Sequence, residues 1–254
     1  MVIMIIAISS GIGLKNTIKN NVINVESHIQ ISSIKHKNET ESIYITKETL
    51  NKIKKINTID SIYPVVKKSA IISNNNNMEG VMLKGIDVTY KTENIKKSIV
   101  SGSYFNKNTN NELLISTKKA DQLNLKSGDS CILYFLSKNN NIQKRKFIII
   151  GTYKMANEIL DEMYVLTKIN SIQKINKWGE EDVTNYEITL DKNNNIQETV
   201  QNINLTLPYN LLAKSIEDRF PGIFNWINLF DKNISFILII MSIICIINMT
   251  NALL

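Results

Sequence analysis

The sequence predicts an α+β fold carried on membrane-spanning flanks. Apolar residues alternate with period two in several short runs, as in half-buried strands, and recur at helical spacing in others. Each end of the chain is apolar and uncharged, at residues 1–14 and 234–254.

Composition narrows the class before any element is placed. The 254 residues carry 30 Lys+Arg against 23 Asp+Glu, a formal charge of +7, with 43% hydrophobic and 7% aromatic residues. Periodic apolar residues exclude a wholly disordered chain, and the polar middle excludes a polytopic membrane protein for most of the length. The positive charge is spread through Asn- and Ile-rich sequence, without a dense basic block or interleaved aromatics, which argues against a nucleic-acid partner. Cys131 and Cys245 are the only cysteines, far apart in sequence. Neither a disulfide framework nor a zinc site can be built from them, and each reads as a small buried hydrophobe.

The elements follow in chain order. Residues 1–14 are uncharged but shorter than the roughly 17 residues a span needs. No basic leader or small-residue cleavage site marks a signal peptide. They read as the distal end of a first transmembrane helix, with a buried soluble helix as the alternative. From 22 to 33, Ile23, Val25, Ile29 and Ile31 alternate with polar residues, predicting a strand with His28 toward solvent. Leu50, Ile53 and Ile56 at helical spacing predict a helix over 46–57, weakly capped by Thr46. A strand broken by Pro64 continues through Ile72, the Asn run at 74–77 turns the chain, and 81–87 forms the next strand.

Beyond Gly102 the pattern shifts to short strands and brief helices. It predicts a strand at 112–116, a helical turn at 117–123, a turn at 126–129 and a strand at 131–136. The Asn run at 139–141 signals a hairpin before a long strand at 144–153. This region reads as a mostly β lobe inserted into the first. Ile169, Ile172 and Ile175 then share a helix face ending at Trp178, and Tyr186, Ile188 and Leu190 alternate as a strand. Ile196, Val200 and Ile203 mark another helix, and 211–216 another strand. Pro221 suits a first helical position, where its missing N–H would be unpaired anyway. A helix from there to Leu254 would be about 50 Å long, some 20 Å more than a bilayer needs. The surplus reads as a stalk, with Phe224, Trp226 and Phe230 on it and Trp226 near the headgroups; an ordinary interfacial belt fits the same spacing. Residues 234–254 span the membrane, and a span that ends without a polar tail reads as a chain cut inside a larger membrane protein.

No Walker loop, dinucleotide glycine pattern or nucleophile elbow is present. His28 and His36 offer no catalytic base or metal cluster. The acidic groups Glu158/Asp161/Glu162 and Glu180/Glu181/Asp182 read as solvated surface, because paired catalytic acids need converging, buried geometry. Asp87 and Asp129 fit turn chemistry. The residues thus call for no catalytic, cofactor-binding or metal site, and no enzyme.

A set of short phrases in order carries a resemblance. These are a first helix ending near Gly11-Ile12-Gly13, then Leu83-Lys84-Gly85-Ile86-Asp87, Gly102-Ser103-Tyr104-Phe105, and Glu112-Leu113-Leu114-Ile115-Ser116 with Ala120 and Leu123. Leu125-Lys126-Ser127-Gly128-Asp129, Phe147 with Gly151-Thr152-Tyr153, Glu158, Asp161, Gln173, Trp178 and Tyr186-Glu187-Ile188 continue it. Pro221-Gly222-Ile223-Phe224-Asn225-Trp226, Asn233 and Asn248-Met249 complete it. In this order they resemble the lipoprotein-releasing ABC transporter permeases, the LolC/LolE-type members of the FtsX-like, MacB-like superfamily.

The resemblance implies a MacB-like periplasmic core with a porter-like αβ lobe and an inserted β-rich lobe, in a multi-pass protein of the bacterial inner membrane. Its divisions would be the end of a first membrane helix at 1–21, the porter-like lobe at 22–100 and 183–220, the inserted lobe at 101–182, a stalk at 221–233 and a second membrane helix at 234–254. It implies a permease subunit that extracts or exports lipoproteins or lipophilic cargo. A cytoplasmic ABC ATPase dimer would drive it, beside a second permease subunit of the same or a related chain. Lipoprotein or a periplasmic carrier, and membrane lipids, would be its other partners. Pro221, Gly222, Phe224 and Trp226 would serve the stalk and Phe236 would meet lipid or cargo. Only residues 179–184 follow the helix where that family carries an extended carrier-binding hook, which departs from its pattern. An anchored regulatory module of the FtsX kind and a MacB-type efflux permease are the other readings.

Overall fold

A computed structural model describes residues 2–35, 41–74, 77–106, 109–136, 141–155, 158–191 and 195–253. His36, the middle of the Asn turn at 75–76, residues 139–140 of the second hairpin signal and Leu254 lie outside the described residues, as does the side chain of Phe230.

The chain begins with α1 (Val2–Glu26), followed by β1 (Ile29–Ser33), α2 (Lys47–Lys54), β2 (Ile59–Asn74) and β3 (Asn77–Ile86). Next come α3 (Thr92–Ser98), β4 (Ile99–Gly102), β5 (Glu112–Ser116), α4 (Thr117–Leu123), β6 (Ser130–Leu136) and β7 (Ile142–Tyr153). Then follow α5 (Glu158–Met163), β8 (Tyr164–Lys168), α6 (Ile169–Asn176), β9 (Asn185–Leu190), α7 (Ile196–Thr206), β10 (Leu211–Ser215), α8 (Ile216–Arg219) and α9 (Pro221–Leu253).

The strands form two connected arrangements. An open antiparallel sheet runs β10-β1-β9-β2, with α2 and α7 against it. From β2 the pairing passes to β3, β8, β5, β7 and β6, and β6 returns to β2 at Ile71–Tyr134, Ile72–Leu133 and Ser73–Ile132. Those strands make a closed ring, and β4 pairs the end of β7 outside it. The 16-residue β2 belongs to both: its first part pairs β9 and its second part pairs β3 and β6. Closure leaves the ring's interior to side chains alone, and Ile72, Leu83, Leu113, Leu133, Phe147, Ile149 and Val165 fill it with no exposure. This core is continuous with the apolar face of the open sheet, Ile29, Ile31 and Ile188 included, and with Ile53 of α2 packed on it.

Several expectations hold at the level of single residues. Thr46 caps α2 by accepting the Thr49 N–H at 3.3 Å, and Ile53 is buried beneath it. The turn at 126–129 closes with Lys126 N–H donating to Asp129 Oδ2 at 2.8 Å and Gly128 at φ 98, a left-handed value that glycine tolerates.

Others need correction. The predicted strand at 22–33 begins only at Ile29, because α1 continues through Glu26. Ile18, Val22 and Val25 are also spaced as a helix face, and that period wins until Ser27, at φ 65, ends the helix. His28 is half-buried, and its Nδ1 accepts the Leu190 N–H at 3.2 Å. Pro64 does not break β2: it lies one residue before β3 joins at Val65–Ile86, where only the β9 edge is paired. Cys131 is buried in the ring, whereas Cys245 is exposed because no protein surrounds that part of α9. Asp161 is buried, accepting the Met155 N–H at 2.9 Å, so the acidic group there is not wholly solvated. The elements α3, β4, α5, β8 and α8 escape sequence reading.

Among the described residues one helix, residues 221–251 of α9, is long and apolar enough by length and composition to cross a membrane. Its first turns pack on the last turns of α1. Phe224 and Ile227 are buried with Val22, Ile23, Val25, Leu160, Tyr164 and Ile216. Further along, Gly11 faces Ile234 so closely that a Cβ on Gly11 would overlap the Ile234 side chain. A small residue at such a crossing lets two helix backbones approach.

Candidate functional site

The place where α1 enters the sheet is a buried cluster of charges. A helix leaves its last four carbonyls without intrahelical donors. Here each has a cation or a phenol aimed at it. Lys91 Nζ donates to Ile23 O (2.6 Å) and Asn24 O (2.9 Å), Lys84 Nζ to Val25 O (2.6 Å) and Arg219 Nη1 to Glu26 O (3.1 Å). The Tyr90 hydroxyl lies 3.2 Å from Val25 O, with its one proton directed to Glu187. Cations at a helix C-terminus also meet the negative end of its dipole.

The sheet supplies the rest of the site. Lys67 on β2 and Lys84 on β3 are direct cross-strand partners and so share a face. Like charges placed so would repel. Two fully buried carboxylates separate them: Glu187 on β9, 2.8 Å from Lys84 Nζ, and Glu26 at the tip of α1, 3.0 Å from Lys67 Nζ. Arg219 also pairs with Glu26, Tyr90 donates to Glu187, and Ser27 Oγ donates to Glu187 at 3.2 Å. A capping box between Ser215 and Asp218 sets the direction of α8 and thereby of Arg219. The Lys67 and Lys84 ammonium groups lie 5.0 Å and 5.6 Å from the centre of the Tyr164 ring.

The electrostatics follow from burial and an excess of cations. Burial would raise the Glu26 carboxyl, but Lys67, Lys84 and Arg219 outweigh it and hold it well below the usual carboxylate range. Glu187 is lowered in the same way by Lys84 and Lys67. Burial lowers the Lys84 ammonium despite both carboxylates, and it takes Lys91, which also feels Lys84 and Arg219, down to about 7. His28, at the rim, is pushed down to about 4 by burial and by Lys91 and Lys19. Such a cluster fixes the end of α1 on the sheet in one position, because any shift strands a buried charge.

The residues singled out in sequence lie on α9, beside this cluster. Phe224 packs under α1 with Tyr164, in the apolar surroundings of the cluster. Pro221 and Gly222 are exposed at the start of the helix, and a Cβ on Gly222 would meet nothing within 4 Å. Trp226 is half exposed at 52%, and Phe236 is 64% exposed further along. Of the acidic groups, Glu162 pairs with Lys118, Glu181 with Lys47 at 3.4 Å, and Asp182 accepts the Gly179 N–H at 2.9 Å. Glu26, Lys67, Lys84, Lys91, Glu187 and Arg219 are the residues that sequence reading missed. A signal existed: Lys84 and Glu187 interrupt the apolar strand phrases 83–86 and 186–188, and a charge in a doubly covered strand must find a partner.

No family model matches the sequence, and no curated protein matches it. Solved structures do. The periplasmic region of MacB from Actinobacillus actinomycetemcomitans matches with a TM-score of 0.50 at 14% identity, over 80% of this chain and 96% of that one. The extracellular domain of the noncanonic ABC-type transporter YknZ from Gram-positive bacteria matches with a TM-score of 0.49 at 16% identity, over 74% of this chain and 99% of that one. The likeness is one of fold: an α+β, MacB-like periplasmic core with an open αβ sheet and a β-rich ring.

Proposed function

We propose that this chain is part of a membrane-anchored permease subunit of an ABC transporter, with its folded domain on the extracytoplasmic side. The observation that carries the reading is the convergence of α1 and α9 on one buried charge cluster beneath a MacB-like fold. Two helices that leave a domain side by side, one bolted to the sheet by charges and one packed on it through Phe224 and Ile227, can pass a displacement in the membrane to the sheet. In this reading 22–100 with 183–220 is the porter-like lobe, 101–182 the inserted lobe and 221–233 the stalk. The chain works by conformational coupling and not by covalent chemistry. A cytoplasmic ATPase dimer supplies the energy, a second permease subunit completes the translocator, and the cargo is a lipoprotein or another lipophilic molecule taken from the membrane.

The test is co-purification of the full-length gene product from mild detergent, with associated proteins identified and ATPase activity assayed. Recovery of an ABC ATPase supports the permease, and a cell-wall hydrolase in its place would move the chain to an anchored regulatory module. Insertion of a Gly-Ser pair after Asn228 should abolish transport while the domain stays folded and membrane-bound. Transport that survives it would refute the lever.

A further inference from the structure

A groove of about 240 Å³ opens between α1, α3 and the residues that follow β7. Its polar lining among the described residues consists of Asn21, Asn24, Asn94, Lys97, Ser98 and Lys154, with no carboxylate among them. Lys97 and Lys154 are both exposed, and neither makes an ion pair with a described residue. The neighbouring pocket sharing Asn24 and Asn94 differs: there Lys91 stands with two carboxylates, Asp60 and Glu93, so negative groups outnumber positive ones. This groove brings two lysines that have no ion pair to a described residue together with amide groups, the chemistry that receives a phosphate.

Its height above a membrane can be read from two helices. On α1 the apolar stretch ends at Leu14, before Lys15, and on α9 it begins at Ile234, after Lys232. Gly11 and Ile234 are in contact, so both helices put the hydrocarbon boundary at the same level. Asn21 then stands about 10 Å above Leu14 at a rise of about 1.5 Å per residue. That is just outside the headgroup layer, and lysine stems reach across the difference.

We propose that this groove binds the headgroup of an anionic phospholipid beside α1. The proposal rests on the membrane-anchored part of the reading above and not on the identity of the cargo. Lys97 and Lys154 pair with the phosphate, while the amides of Asn24 and Asn94 serve the glycerol end of the headgroup; the Ser98 hydroxyl, which donates to Ile95 O at 2.7 Å, can only accept there. A lipid held there ties the boundary lipid to the helix that the charge cluster anchors.

The full chain is first fractionated, then purified in non-ionic detergent and titrated with short-chain phosphatidylglycerol, short-chain phosphatidylcholine and inorganic phosphate, with bound ligand read by native mass spectrometry. Phosphatidylglycerol should bind at least tenfold more tightly than phosphatidylcholine. The Lys97→Gln/Lys154→Gln double variant should lose about tenfold of that affinity at an unchanged melting temperature. Lys96→Gln should bind as the parent does, because Lys96 lies over the Tyr104 ring and does not line the groove. Equal binding of the two lipids, or an equal loss in Lys96→Gln, would overturn the site, and inorganic phosphate binding as tightly as phosphatidylglycerol would make it a free-anion site. Recovery of the chain in the soluble fraction would overturn the membrane reading itself, before any lipid is added.

Discussion

Two faces of β2, a few residues apart, are held by opposite means. Ile72 points into the closed ring, where Phe135, Phe147 and Leu133 surround it and no polar side chain is needed. Lys67 points the other way, into a cluster of charges at the end of α1. Apolar packing is non-directional and sets no particular partner for any one atom of the ring wall. A buried ion network does: shifting α1 breaks several charge-assisted hydrogen bonds together and leaves charges desolvated. The ring therefore supplies stability, and the cluster supplies a defined position for the helix.

Removing Glu187 tests that contrast most severely. Glu187→Ala strands Lys84 without its carboxylate, and we expect a loss of about 5 kcal/mol, the upper end for breaking a buried pair. The double change Glu187→Leu/Lys84→Met should recover most of the melting temperature and still impair transport. If the double variant transports normally, the charges do not set position. Phe147→Ala in the ring should cost about 3–4 kcal/mol through a cavity, independent of salt, with α1 still docked. Hydrogen exchange at the end of α1 would check this, and faster exchange there would mean that ring and cluster are not separable.

The smallest effect concerns pH. His28 has its folded-state pKa lowered to about 4 from an ordinary value near 6.5, so the unfolded chain takes up this proton first. The contribution is intact above pH 6.5 and is lost as pH falls toward 4. It amounts to about 1–2 kcal/mol once the partial exposure of the ring is allowed for. Glu26 and Glu187, both lowered, give way only at more acidic pH. Melting temperatures between pH 7 and 4 should fall in the parent and stay flatter in His28→Asn, whose amide oxygen can still accept the Leu190 N–H. Parallel curves would remove His28 from the account.

How much of this was legible in the sequence depended on period and on length. Strands such as β5 and β9 and helices such as α6 and α7 showed themselves because Ile, Leu and Val repeat at 2 or 3.6 residues. The C-terminal apolar helix was plain from composition alone. The reach of α1 was hidden because Val22, Ile23 and Val25 satisfy both periods, and only the left-handed Ser27 decides between them. The site itself was the least visible part. Its six charged residues come from β2, β3, β9, α8, the end of α1 and the residue preceding α3, and no local pattern connects Glu26 with Arg219. The resemblance drew attention to the start of α9, where Phe224 meets the cluster's apolar surroundings.

The closed ring also orders events while the chain is being made. Its last strand in sequence is β8, complete at Lys168, so every ring strand precedes β9 in the chain and emerges before it. β1 pairs only with β9 and β10, which arrive from Asn185 onward. A growing chain can thus close its β-rich half early, in the manner of domains that fold as units during synthesis, while β1 and the end of α1 wait. Glu187 and Arg219, which lock α1 to the sheet, are among the last residues to emerge before the C-terminal apolar helix. The polar joint is therefore complete only once the chain has been made through Arg219, late in synthesis and just ahead of α9.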